Sequence, residues 1–399
     1  MSYYSEYISK NLNLEEIIKE RKIQLANISK LRGGRDILVY ASDLSKPIPN
    51  TSIDYTDILA FQDQLEKLKG QEIDIILETP GGIAEVVEDL VKLVRHKYNR
   101  VGIIIPGWSK SAGTIFAMAG DEILMGEASA LGPIDAQIMN NNKQFSAEAF
   151  LEGLEKIKSE VITTGKLNPA YIPILQNISP GEIQHCINAQ DFSKKLVTQW
   201  LTEYKFKYWD KHSSTGKVVT ADEKAEKANK IASTLCKQSD WLTHGRSIKI
   251  EDFERIGLKI VDFSKNTKLN EAILRYYTLL RMSFETNLYK VFETIDSQIY
   301  RFLVPQFIPQ NMNLVPQVVP QNVNNADIES GLADFICTNK SCNHKSRIQL
   351  NFKPNIAVKV GNLPYPSEND IFTCPNCGTK HNLKALKLQA EAFSGKKLV

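Results

Sequence analysis

Residues 72–114, EIDIILETPGGIAEVVEDLVKLVRHKYNRVGIIIPGWSKSAGT, decide the fold. A short apolar, β-branched run closes on Pro80-Gly81-Gly82, and a stretch with apolar residues at helical spacing follows it. A second apolar run then closes on Pro106-Gly107, just ahead of the small-residue segment Ser111-Ala112-Gly113-Thr114. The order is strand, helix, strand. Both runs are nearly continuous in apolar character, as strands covered on two faces must be, so the stretch predicts parallel strands in an α/β domain.

The flanking sequence extends this pattern. Residues 13–30, NLEEIIKERKIQLANISK, carry the helical period, and RDILVYASD then reads as a strand bounded by Gly33, Gly34 and Asp43. YTDILAFQDQLEKLKG is a helix that stops at Gly70. After SAGT come a short strand, DEILM, a Gly-Pro turn at LGPID, and a more charged, largely helical region from about 145 to 215. HGRSIKIEDFERIGLKIVDF adds a polar turn, a helix and a last apolar strand. The organisation expected is an N-terminal helix at 1–30, an α/β domain at 31–265 and a long amphipathic helix at 266–303. A Pro/Gln/Asn linker at 304–330 and a small cysteine-bearing domain at 331–399 complete it.

Composition narrows the function classes. The chain has 399 residues with 49 Lys plus Arg against 46 Asp plus Glu, and this net +3 gives no electrostatic case for nucleic acid as the principal partner. No apolar stretch reaches the roughly 20 residues of a membrane span, and the charged N-terminus lacks a secretory apolar core, so a cytoplasmic location is expected. In that compartment the six cysteines are expected to be reduced or metal-bound.

Two glycine-bearing turns, TPGG and PGWSKSAGT, fall at the carboxyl ends of neighbouring strands, where ligands collect in open parallel sheets. Gly81 and Gly82 bring backbone N–H groups close to one point without side-chain obstruction. A serine ahead of a helix gains from the amides and dipole of that helix N-terminus, which suit a developing oxyanion. The alternative for either stretch is a plain strand-to-helix turn. No G-K-[ST] follows and no dinucleotide fingerprint surrounds them, which removes a phosphate cradle.

The motifs TPGG, SAGT, DEILMGEASALGPIDAQI and HGRSIKIEDFERIGLKIVD, spread over roughly residues 35–265, resemble the serine dehydrogenase proteinase family. These are relatives of the signal peptide peptidase SppA and of the Clp protease proteolytic subunit. The resemblance implies a ClpP/crotonase-like spiral of βαβ units. It makes Ser111 in KSAGT the nucleophile, with Gly82 and Ala112 as backbone oxyanion donors and Gly81 beside them. It implies peptide or unfolded-protein substrates, a homo-oligomer, and no cofactor for catalysis. Ser109 ranks second as nucleophile because it does not directly precede Ala-Gly.

The base is open at this stage. LGPIDAQI carries no histidine where Clp-type peptidases place one, whereas SppA-like enzymes use a lysine from a segment resembling TTGKLNP, which points to Lys166. His244 in THGRSI is the rival, because imidazole needs little tuning at neutral pH. Lys110 reads as surface charge, and Asp135 either orients a base or fixes the turn after Pro133, the turn being the favoured reading. Two other readings remain: a crotonase-like acyl-CoA enzyme, and a catalytically degenerate scaffold.

The last domain holds CTNKSC and CPNC. Cys337, Cys342, Cys374 and Cys377 have the spacing of paired knuckles on a zinc ribbon, and four thiolates satisfy a tetrahedral zinc. A fragment this small has little core of its own, so a structural zinc would supply folding free energy. His344 and His381 follow the knuckles closely, each able to replace a cysteine. Cys186 and Cys236 read as ordinary packing residues.

Overall fold

The computed structural model describes residues 2–399 except 47, 141–142, 213–214, 304–306, 310–328, 340–341, 343, 385, 388–389 and 392–395. It divides into two compact units, Met1–Phe302 and Leu303–Val399.

In the first unit, strands β1 (Asp36–Ser42), β2 (Glu72–Glu78), β3 (Arg100–Ile105) and β5 (Glu122–Met125) lie side by side in parallel, and Val261–Asp262 continues them. The short pieces β4 (Trp108–Ser109) and β6 (Ala130–Leu131) form a separate parallel pair. Successive residues feed opposite faces of the main sheet. Leu38, Tyr40, Ile75, Leu77, Ile103 and Ile105 enter one core. Ile37, Val39, Ala41, Ile76, Ile104 and Leu124 enter the other. This double burial is the reason each strand reads as an unbroken apolar run.

Helices α1 (Tyr3–Ser9) and α2 (Leu14–Leu31) open the chain. In α2 the Asn13 side chain accepts from the Glu16 amide while the Glu16 carboxylate accepts from the Asn13 amide, a reciprocal cap that fixes the helix start. Leu25 and Ile28 of α2 join one core. Residues of α3 (Asp57–Glu66), α4 (Ala84–Lys97) and α5 (Ala112–Ala117) fill the other. The helical region after residue 145 consists of Ala147–Thr164, Ile172–Leu175, Pro180–Trp200 and Ala221–Cys236.

One long element is divided. The single amphipathic helix expected at 266–303 ends at Phe284, and Leu288–Glu293 and Gln298–Phe302 form two antiparallel strands that extend the sheet beyond β1. The Asn266 side chain caps the helix start by accepting from the Leu269 amide. LYKVFE is buried at every position, so it carries no strand-like alternation, and its aromatics mimic a helical stripe. Buried pairs tie this end of the sheet together. Arg21 donates to both Glu293 carboxylate oxygens at 3.0 Å, and the Lys290 ammonium meets both Asp57 oxygens at 2.9 Å.

The second unit has its own core around Ala333, Phe335, Ile348, Leu350 and Phe372. Ser330–Ile336 pairs antiparallel with Lys345–Asn351, and Ile371–Thr373 pairs with Lys380–Asn382. Within the expected linker, Phe307–Pro309 pairs with the strand at 331–333. Most of that linker, 304–306 and 310–328, lies outside the described residues.

Candidate active site and cysteine cluster

A run of adjacent backbone pairings assembles the four motifs. Thr79, just past β2, bridges Ser109; Ser109 pairs with Leu131; Leu131 bridges Ile248. TPGG, SKSAGT, LGPID and HGRSI are therefore neighbours across one narrow seam at the carboxyl ends of the strands. The pairings are carried by Thr79 N–H to Trp108 O at 3.1 Å, Lys110 N–H to Thr79 O at 2.9 Å, and Ile248 N–H to Leu131 O at 3.0 Å.

Ser111 stands at the N-cap of α5 with φ 50° and ψ −120°, a conformation that non-glycine residues rarely hold. It marks a tight strand-to-helix elbow. Gly81 lies directly against it: a Cβ there would fall 2.7 Å from Ser111 Cβ and 2.8 Å from the Lys110 carbonyl oxygen. Gly81 also has φ +104°, which a side chain would strain. Gly82 is pressed just as closely on the Ile53 backbone. Ile53 N–H donates to Gly81 O at 2.7 Å, and Ile83 N–H donates to Ile53 O at 3.0 Å. Ile53 thus holds the glycine loop like a strap.

The amides divide into used and free. Gly81 N–H donates to Thr79 Oγ1 at 3.2 Å. Among the described residues, the N–H groups of Gly82 and Ala112 have no acceptor. Those two are the backbone donors of this turn that remain without an acceptor. Ser109 is fully buried, and its Oγ has no partner among the described residues, so an approaching substrate has no route to it.

His244 Nδ1 lies 2.7 Å from Asp135 Oδ1, with Asp135 buried and His244 partly exposed. The second Asp135 oxygen accepts from Gln137 Nε2 at 2.7 Å. Of the two roles the sequence allows Asp135, the contact with the His244 imidazole matches the orienting one and not the favoured turn. Lys110 also departs from the surface role expected of it. Its Nζ donates to Leu131 O at 3.1 Å, Arg246 O at 3.1 Å and Ser247 Oγ at 3.0 Å, so all three ammonium hydrogens are spent. Burial, with Lys249 nearby, pushes its amine down to about 8. Lys110 clamps the segment that carries His244 onto the loop that carries Ser111. Lys166 is exposed after the helix Ala147–Thr164, where its backbone meets Thr164 Oγ1.

Two further groups escaped the sequence reading. Thr114 Oγ1 accepts from Gly132 N–H at 2.9 Å and fixes the turn leading to Asp135. Glu78, one residue before TPGG, is completely buried, and burial pushes its carboxyl up to about 8. A charged residue closing an apolar run was the visible signal for Glu78. The Asp135–His244 pair left no local signal, because 109 positions separate its members.

Replacing Gly81 by alanine is expected to distort the elbow under Ser111. Turnover should fall roughly a hundredfold from misplacement of the serine, with a strain of about 1–2 kcal/mol lowering the melting temperature. Steady-state kinetics and thermal unfolding of the variant check this, and wild-type values for both would mean that Gly81 does not hold the serine.

In the second unit, the Sγ atoms of Cys337, Cys342, Cys374 and Cys377 all lie within 4.8 Å of one another. Cys337 to Cys377 is 3.5 Å and Cys342 to Cys374 is 3.7 Å. A tetrahedral metal with bonds of about 2.3 Å needs sulfurs about 3.8 Å apart, so the four thiols fit such an ion. Each knuckle is a tight turn: Cys337 N–H donates to His344 O at 3.0 Å, and Cys374 N–H to Thr379 O at 2.9 Å. His381 Nε2 lies 3.3 Å from Cys337 Sγ, outside the four-sulfur set. Cys186 and Cys236, in the first unit, are buried.

A serine at positive φ thus lies beside backbone amides without acceptors, at the carboxyl ends of parallel strands. Residues 65–222 match the model of the ClpP-like SDH-type serine proteinase family, which supports a serine peptidase. Two uncharacterized proteins of Methanocaldococcus jannaschii are similar to this chain. One is 27% identical over 188 residues, 47% of this chain and 51% of the relative. The other is 26% identical over 214 residues, 54% and 59% respectively. The chain spans a little over half the length of these relatives. Among solved structures, a serine-to-alanine mutant of the 1510-N membrane-bound stomatin-specific protease aligns with TM-score 0.31 and 15% identity, covering 55% of this chain and 79% of that one. A lysine-to-alanine mutant of the same protease, in complex with a substrate peptide, gives 0.31 and 15%, covering 54% and 71%. Among the described residues of this chain, no helix is long and apolar enough to cross a membrane.

Proposed function

We propose that the unit Met1–Phe302 is a serine peptidase acting on peptides or unfolded protein segments. Ser111 Oγ attacks the carbonyl carbon of the scissile bond and passes its proton to His244 Nε2. The amides of Gly82 and Ala112 receive the oxyanion. His244 then protonates the leaving amine, and water repeats the sequence to free the acyl group. Asp135 holds the imidazole tautomer from Nδ1, and Lys110 keeps the His244 segment in register. The observation that carries this reading is Ser111 at its elbow, in the same seam as a histidine already bonded to a buried carboxylate. Lys166, exposed and without a side-chain partner among the described residues, lacks the burial a lysine base requires. A homo-oligomer and a cytoplasmic setting are part of the proposal.

A fluorophosphonate probe tests it. The full chain is expected to label at Ser111, as mapped by peptide mass spectrometry, and to lose hydrolysis of an unfolded casein substrate in step with labelling. Labelling elsewhere, or none alongside absent turnover, would make the unit an inert scaffold.

The cysteine cluster is proposed to hold a structural zinc, which matches its four-thiolate donor set. The core of the second unit is small, so metal binding is expected to supply much of its folding free energy. Cys374→Ser should remove about one zinc per chain by elemental analysis and erase the chelator-sensitive thermal transition, whereas an unchanged zinc content would refute the assignment.

A further inference from the structure

At the amino ends of β3 and β5, the opposite end of the sheet from Ser111, a cavity of about 580 Å³ opens between the sheet edge and the segment that follows the helix Pro180–Trp200. That helix runs into one π-helical turn, Leu201–Lys205, an arrangement that often marks functional positions. The turn delivers Lys205 to the cavity, where Lys211, Lys227 and Lys259 also line it. Among the described residues, no ion pair joins any of these four lysines to a carboxylate. The acids on the same wall are already engaged, Asp121 by Arg95 at 2.8 Å and Glu122 by Arg100 at 2.9 Å.

The cavity is therefore short of negative charge. Burial pushes the Lys205 amine down to about 8, with Lys259 adding repulsion against the opposing pull of Glu122 and Asp121. The remaining wall is aromatic. Lys227 Nζ lies 4.5 Å from the Trp209 ring centre, and Tyr208 is largely exposed beside it. Ammonium groups of this kind bind phosphate as point charges, and aromatic rings stack on flat heterocycles. The volume falls among small-molecule sites and exceeds what a bare phosphate fills, so the ligand has a planar body as well as charge.

We propose that this cavity binds a nucleoside phosphate, its phosphates on Lys205, Lys211, Lys227 and Lys259 and its base against Trp209 and Tyr208. Its distance along the sheet from Ser111 makes it a site separate from peptide hydrolysis.

Isothermal titration of the full chain with ADP and, separately, with pyrophosphate tests the assignment. ADP is expected to bind saturably and at least roughly tenfold more tightly than pyrophosphate, since stacking adds to charge pairing. Lys205→Met should weaken ADP roughly tenfold or more and Lys205→Arg should restore it, which separates lost charge from lost fold. Trp209→Leu should weaken ADP while leaving pyrophosphate unchanged. Absence of saturable ADP binding at millimolar concentration, equal affinity for pyrophosphate, or indifference to Lys205→Met would each overturn the proposal. So would a single-stranded oligonucleotide that binds through the same residues more tightly than ADP.

Discussion

Replacing Ser111 by alanine is expected to lower kcat/KM for peptide hydrolysis by roughly 10³- to 10⁶-fold, the range seen when a serine nucleophile is removed while the oxyanion donors remain. The fold should survive. Ser111 lies at positive φ on the N-cap of α5, its side chain caps nothing, and alanine removes a single oxygen. The melting temperature is therefore expected to move little while activity collapses. A variant that keeps wild-type turnover would remove Ser111 from the chemistry, and with it the function proposed for the unit.

Asp135→Asn is expected to cost about 10⁴-fold in kcat, because an amide in place of the carboxylate no longer fixes the imidazole tautomer. His244→Ala should cost as much, and the double variant little more, since the two act as one proton-transfer device. Lys166→Ala is the informative contrast: wild-type kinetics are expected of it. The opposite pattern, with Lys166→Ala inactive and His244→Ala active, would transfer the proton to lysine. The Asp135→Asn variant should still react with the fluorophosphonate, slowly, and this separates a weakened nucleophile from a lost one.

Much of the architecture was legible in the residues. The strands Asp36–Ser42, Glu72–Glu78 and Arg100–Ile105 appear as continuous apolar runs because each of their faces is covered by a different core. The cysteine knuckles were equally plain, since each knuckle is a short-range turn with a fixed spacing. The hairpin at 288–302 was hidden for the converse reason: LYKVFE is buried at every position, and buried strands and buried helices share an apolar signature.

The site was half legible. Ser111 and the glycines announce themselves because an elbow and a close approach demand particular residues locally. His244 and Asp135 were each open to a catalytic reading, but their pairing and the Lys110 clamp could not be read, because only the fold brings the members together. A lysine beside a presumed nucleophile and an aspartate after a proline each have ordinary local explanations. Nothing within either neighbourhood distinguishes those from the roles the three-dimensional contacts give them.

The clamp has a consequence for the birth of the protein. Lys110 reaches Ser247 across 137 positions of chain, and Asp135 reaches His244 across 109. A growing polypeptide thus exposes Ser111 long before it can complete the proton relay. On the proposed assignment it remains harmless to itself and to its neighbours throughout that interval. Under that same proposal, activity would be switched on late in synthesis, by the arrival of a turn far downstream of the residue it serves.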